Sequence, residues 1–150
     1  MSETLERYIE TIHELEEKGR KVRTKDMARE LKVKEPSVTE MLGKLKEKDL
    51  VEYEPYQGTS LTQKGEDLAK KLMKKHATFA EFLKMIGVDG EIAEKDACRI
   101  EHVVNHETVE KLRKFLKFVE KAPEEPIWLE HYKDFIKTGK HPECDRKNKD

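Results

Sequence analysis

A chain of 150 residues with 42% charged and 35% hydrophobic side chains and a net charge of -1 is no global polycation. It has room for one ordinary domain or two small ones with thin cores. No apolar run approaches the ~20 residues that cross a bilayer, no secretory leader core opens the sequence, and two distant cysteines, Cys98 and Cys144, make no disulfide framework. The expectation is a folded, cytoplasmic protein, with dimerisation adding the burial that small cores lack.

Leu5, Tyr8, Ile9, Ile12 and Leu15 recur at i, i+3, i+4, i+7 and i+10, one face of a first helix. Gly19 suits its C-terminal stop. Thr24 is a candidate N-cap for a short second helix carrying Met27, Ala28 and Leu31. Lys32-Val33-Lys34 makes a turn, and Pro36 sits in the first turn of a third helix with Val38, Met41, Leu42 and Leu45 as its apolar face. After Asp49 the period changes. Residues 50–54 read as a strand, 55–58 as a turn and 59–61 as a short return strand.

Thr62 can cap a long helix reaching about Ile86, where Gly87 stops it. Asp89-Gly90 opens another helix to about His106, and a further one runs from Asn105 to Glu120. Beyond Pro123 and Pro126, the stripe Trp128, Leu129, Tyr132, Phe135 and Ile136 makes a last amphipathic helix before a polar tail from Gly139. The predicted fold is mainly α. A winged helix-turn-helix with a small β-hairpin wing (1–62) precedes an all-helical domain (63–122), then a C-terminal helix and tail (123–150).

Helix, helix, turn, helix, hairpin is an order suited to DNA, because a helix fits the major groove, where base edges differ. Charge supports it: basic residues outnumber acidic ones from Arg20 to Leu50, whereas the segments 1–19 and 91–110 are acid-rich. Lys34 and Lys44 can meet phosphates, with Lys32, Lys46 and Lys48 nearby. Pro36, Ser37, Thr39 and Glu40 occupy early positions of the third helix, where hydroxyls and a carboxylate can reach bases or backbone. Gln57 and Gly58, with Tyr56 and Thr59, form the wing tip. The partner implied is double-stranded DNA. Helix-turn-helix folds also serve as protein-contact modules, and an acidic Glu40 sits awkwardly against phosphate.

The segment Cys98-Arg99-Ile100-Glu101-His102 places a thiol, a carboxylate and an imidazole at i, i+3 and i+4 of a helix, on one face. That is a transition-metal half-site. Glu94 and His106 continue the stripe, while Glu10 on the first helix and His76 on the long helix are candidates for the missing ligands. Singly, each residue has a plainer use: Cys98 as a small core side chain, Glu101 and His102 as solvated surface.

The runs Glu6-Arg7-Tyr8-Ile9-Glu10-Thr11-Ile12, Pro36-Ser37-Val38-Thr39, Asp49-Leu50-Val51, Leu61-Thr62-Gln63-Lys64-Gly65, Lys75-His76, Ile86-Gly87-Val88-Asp89 and Ala97-Cys98-Arg99-Ile100-Glu101-His102 follow one another in order over roughly residues 5 to 120. On these the chain resembles the diphtheria-toxin-repressor family of iron- and manganese-dependent transcriptional regulators. The resemblance implies a homodimer, operator repression at a near-palindromic DNA site, and metal drawing the first helix and the dimer core together. It implies that Cys98, Glu101, His102 and His76 match ligand positions, and that Glu10 matches one of the manganese-type members.

Two positions depart from the family pattern. Arg7 stands where iron-type members put Met and manganese-type members put Asp, and a cation cannot ligate metal. Ala80 stands at a position that is acidic in the family, with Glu81 one step round the helix. The implied ion is Fe(II) or Mn(II); the thiol favours Fe(II), and Zn(II), Co(II) and Ni(II) are expected to bind in vitro.

Other readings are a metal-independent winged-helix regulator with Cys98 as a redox-sensing thiol, and a metalloenzyme. No phosphate loop, nucleophile elbow or paired acid and base supports an enzyme. His141 and Cys144 in the tail form a weaker second metal-binding pattern.

Overall fold

The computed structural model describes residues 1–143. It forms two compact units, Met1–Val109 and a second beginning at Glu110. Helix α1 spans Glu3–Glu17 and buries Leu5, Tyr8, Ile9, Ile12 and Leu15, the face its spacing requires. Ser2 caps it by accepting from the Leu5 N–H. Gly19, at φ 69°, turns the chain so that the Arg20 N–H reaches the Leu15 carbonyl (3.1 Å) and closes the helix end.

Helices α2 (Thr24–Leu31) and α3 (Glu35–Glu47) form the helix-turn-helix. Thr24 is the first helical residue rather than the cap. Arg23 holds the cap position, and the Asp26 carboxylate accepts its N–H (3.3 Å). Lys32 in the left-handed region makes the turn, and Pro36 lies in the first turn of α3. Val38, Leu42 and Leu45 join the α1 face, Met27 and Val22 in one core.

The wing is an antiparallel pair, β1 (Val51–Glu54) and β2 (Gly58–Leu61), with Val51 opposite Leu61 and Glu54 opposite Gly58. Leu50 stays outside the strand because its N–H is spent on the Leu45 carbonyl, sealing the end of α3. Val22 bridges to Thr59, adding a third piece to the hairpin edge.

Helix α4 (Gln63–Met85) is about 34 Å long. Thr62 accepts from the Gly65 N–H and donates to the Asp49 carbonyl (2.7 Å), fastening α4 to the corner where α3 meets the wing. A Cβ at Gly65 would lie 2.1 Å from the Leu50 carbonyl oxygen, so this approach requires glycine. Ala69 and Leu72 of α4 complete the core of the first unit.

Helix α5 (Gly90–Ile100) packs along α4. It ends at Ile100, not near His106. The Asn105 side chain accepts from the Glu107 N–H and starts α6 (His106–Glu120), so 101–104 become a turn between two helices. In the second unit α7 (Ile127–Thr138) buries Leu129, and the rings of Phe115 and Trp128 lie 6.0 Å apart. Phe118, Ile127 and Ile136 stay exposed.

Candidate metal centre and nucleic-acid interface

Three elements bring acidic and imidazole groups to one place. Helix α1 presents Glu6 and Glu10 one turn apart. Helix α4 presents His76 from its middle. The turn after α5 presents Glu101, still in the right-handed helical region, and His102. His102 lies just beyond the end of α5 with its side chain fully buried. A single straight helix face does not describe the pair.

Glu10, Glu101 and His102 form a group whose ligating atoms lie within 4.8 Å of one another, the one such group among the described residues. His102 Nε2 is 3.2 Å from Glu101 Oε1 and 3.3 Å from Glu10 Oε2. The His102 side chain is 0% exposed and that of Glu101 1%. His76 Nδ1 stands 3.0 Å from Glu101 Oε2, and its Nε2 is 2.6 Å from Oε2 of Glu94, whose Oε1 accepts from Lys84 Nζ.

These groups are not satisfied by one another. Glu101 Oε2 and His102 Nε2 are buried without a hydrogen-bond partner among the described residues. The 3.0 Å approach of His76 to Glu101 is an ion-pair separation, not an aligned hydrogen bond. Buried polar atoms are rarely left so. Burial, then contact with Glu10, pushes the Glu101 carboxyl up to about 10, with Glu6 adding to the effect and Lys75 opposing it. The cluster is acidic, desolvated and short of positive charge, which a divalent cation supplies. The residues present therefore fit a metal.

Cys98, near the end of α5, is exposed and is not in the trio. Partial desolvation raises its thiol pKa, and the Glu101 and Glu10 carboxylates add to this, while Arg7 opposes. It lies at the rim of the same acidic field. Arg7 pairs with Glu3 (2.7 Å) on the outer side of α1. Ala80 is buried and Glu81 exposed, so no carboxylate joins His76 from the next turn of α4. His141 sits against the rings of His131 and Phe135; Cys144 lies outside the described residues.

Glu6 was not among the sequence candidates. Its Oε2 lies 2.8 Å from His102 Nδ1. The available signal was its place one turn before Glu10 on the same helix.

Lys34 before α3, and Pro36, Ser37, Thr39, Glu40 and Lys44 along it, are all exposed. Glu40 and Lys44 pair at 3.0 Å, which softens the acidic intrusion. Gln57 is exposed and Gly58 half-buried at the wing. A cleft of about 610 Å³ runs between α2, α3 and the wing, lined by Arg23, Thr24, Lys25, Pro36, Thr39 and Tyr56 among others. Tyr56, in the left-handed region at φ 65°, is fully exposed. Arg23 and Lys25, which line this cleft, were not among the sequence candidates, because the basic run alone does not say which side chains meet it.

The fold and site define a winged-helix protein with a buried carboxylate–histidine cluster whose residues fit a cation. Residues 1–59 match the iron-dependent repressor N-terminal DNA-binding domain, and residues 62–129 the iron-dependent repressor metal-binding and dimerisation domain. The chain belongs to the iron-dependent repressor family, whose members are transcriptional regulators, not enzymes.

It is 40% identical over 125 residues to an HTH-type transcriptional regulator of Methanocaldococcus jannaschii, covering 81% of this chain and 100% of that one. It is 35% identical over 126 residues to the HTH-type transcriptional regulator MntR of Bacillus pumilus, covering 84% and 88%. The solved structure of the manganese regulator SloR superposes with a TM-score of 0.66 at 36% identity, over 76% of this chain. The chain spans about half of that longer protein, 54%. These likenesses favour metal-dependent regulation over a metal-independent, redox-sensing Cys98.

Proposed function

We propose that this protein is a metal-dependent transcriptional repressor that binds a near-palindromic operator as a homodimer when Fe(II) or Mn(II) occupies the cluster on α1, α4 and the turn after α5. Glu10, Glu101 and His102 would form the centre, with His76 and Cys98 completing the ligand set. One observation carries the reading: Glu101 Oε2 and His102 Nε2 are buried and make no aligned hydrogen bond, although charged groups crowd them at 3.0–3.3 Å. A cation satisfies both at once. Two carboxylates and an imidazole suit Mn(II) and Fe(II) alike, and a thiolate tilts the set toward Fe(II).

Residues 1–62 serve as the DNA-binding domain, 63–122 as the dimerisation and metal-binding domain, and 123–150 as a C-terminal helix and tail. Lys34, Pro36, Ser37, Thr39, Glu40 and Lys44 meet the major groove and its phosphates, and Gln57 and Gly58 the flanking backbone. Exposed Phe118, Ile127 and Ile136 in the second unit support a partner subunit that covers apolar surface. The cation joins α1, which carries the helix-turn-helix core, to the α4–α5 half, so metal binding and the placement of two recognition helices are linked. The expected location is the cytoplasm; no described helix is long and apolar enough to cross a membrane.

The test is an anaerobic calorimetric titration of metal-stripped protein with Fe(II) and Mn(II), repeated on His102→Ala. It is paired with selection from a random-sequence duplex library with and without metal. Saturable binding lost in the variant, together with metal-dependent enrichment of a two-fold symmetric sequence, is the expected result. Enrichment indifferent to metal would overturn the regulatory reading.

A further inference from the structure

The shortest contact made by the His102 ring is not to a member of the trio. Glu6 Oε2 lies 2.8 Å from His102 Nδ1, with side-chain exposures of 14% for Glu6 and 0% for His102. The pair joins α1 to the turn after α5 across 96 positions of sequence. The opposite nitrogen, Nε2, faces Glu10 and Glu101 at 3.3 and 3.2 Å. A neutral imidazole has one N–H and one lone pair, and the partner of one nitrogen decides the state of the other. An ionised carboxylate only accepts, so Glu6 draws the hydrogen to Nδ1 and leaves the lone pair on Nε2.

We propose that Glu6 is a positioning residue of the metal centre: its carboxylate holds His102 in the Nδ1–H form and aims the Nε2 lone pair at the cation shared with Glu10 and Glu101, a role that rests on the metal-binding reading of the cluster. Glu6 touches the far side of the ring from the cation, so it orients without ligating. Outer carboxylates of this kind fix the ring and raise the basicity of the ligating nitrogen. His76 has a parallel arrangement, one nitrogen on Glu94 and the other toward Glu101. Its contact with Glu94 is more exposed, with side-chain exposures of 30% and 49%, whereas the Glu6 contact is largely shielded and more constraining.

The hydrogen position is measurable without metal. Long-range ¹H–¹⁵N correlation spectra of metal-free, ¹⁵N-labelled protein, at a pH where the ring is neutral, report which nitrogen of His102 is protonated. The unaltered chain is expected to show Nδ1–H. Glu6→Gln, which keeps the shape and can donate to Nδ1 through its amide, is expected to move population toward Nε2–H. Zn(II) affinity, measured by competition with a chromophoric chelator, should fall about 10–100-fold in Glu6→Gln. Glu3→Gln removes a carboxylate one turn earlier that pairs only with exposed Arg7, and it should lose less than about fivefold.

An Nε2–H ring in the unaltered chain, an unchanged tautomer in Glu6→Gln, or equal affinity losses in the two variants would each overturn the role given to Glu6. Failure of the unaltered chain to bind Zn(II) would instead remove the metal reading, since the tautomer is read separately.

Discussion

Glu101 carries the strongest electrostatic conflict in the first unit. Its carboxyl is held up to about 10 by burial and by the neighbouring carboxylates of Glu10 and Glu6. In the unfolded chain it titrates near the ordinary value of 4.5, so the metal-free fold binds this proton more tightly than the unfolded chain does. The stability it contributes is full below pH 4.5 and is lost as pH rises toward about 10. Thermal melts of metal-free protein should show that alkaline decline, and Glu101→Gln, uncharged throughout, should flatten it. A decline of equal size in the variant would assign it elsewhere. A cation must displace the same proton, so Mn(II) binding should release protons, measured by calorimetry in buffers of different ionisation enthalpy. Cys98 has a separate test. Co(II)-loaded protein should show a thiolate-to-metal charge-transfer band that Cys98→Ser removes, and its absence from the unaltered chain would leave Cys98 at the rim as a bystander.

Among the elements, the junction of α3, the wing and α4 is the most tightly specified. Thr62 bridges Asp49 and Gly65, and Gly65 abuts the Leu50 carbonyl. Gly65→Ala forces a Cβ into backbone that cannot give way. It should cost about 1–3 kcal/mol or more in urea unfolding, and it should weaken DNA binding by moving the wing relative to α3. Helix α3 makes its own prediction. Lys34→Ala should lower affinity for duplexes of any sequence and reduce the steepness of the log affinity against log salt plot by about 0.9. Ser37→Ala or Thr39→Ala should change sequence preference with the salt dependence preserved. Glu40→Gln frees Lys44 from its 3.0 Å pairing and should strengthen non-specific binding.

Across the whole molecule the expectation is coupling. The cluster takes Glu10 from α1 and Glu101 and His102 from the far end of the α4–α5 pair, so one cation ties the helix-turn-helix core to the helices behind it. Chelation with EDTA should lower operator affinity by roughly 5–150-fold, the ordinary range of coupling between sites. By reciprocity, operator DNA should tighten Mn(II) binding by the same factor. Sedimentation at increasing concentration should report a dimer with or without metal. A chelator effect on DNA binding that arises only because the dimer dissociates would place the coupling at the subunit interface instead.

Much of this protein is local in origin and was legible without coordinates. The face Leu5, Tyr8, Ile9, Ile12 and Leu15, the cap at Thr62, Pro36 at the start of α3, and the change to period two after Asp49 are short-range patterns, and short-range physics produces them. The residues of the buried cluster were nameable as candidates for the same reason: Glu101 and His102 adjoin in sequence, and Glu10 and His76 lie on recognisable helices. What the tertiary structure alone decided is which groups face one another. His102 meets α1 beyond the end of α5, Glu6 stands against its Nδ1, and exposed Cys98 lies outside the trio. Those outcomes depend on contacts between residues some ninety positions apart, and no helical period or cap encodes such contacts; packing of α1 and α5 against α4 decides them.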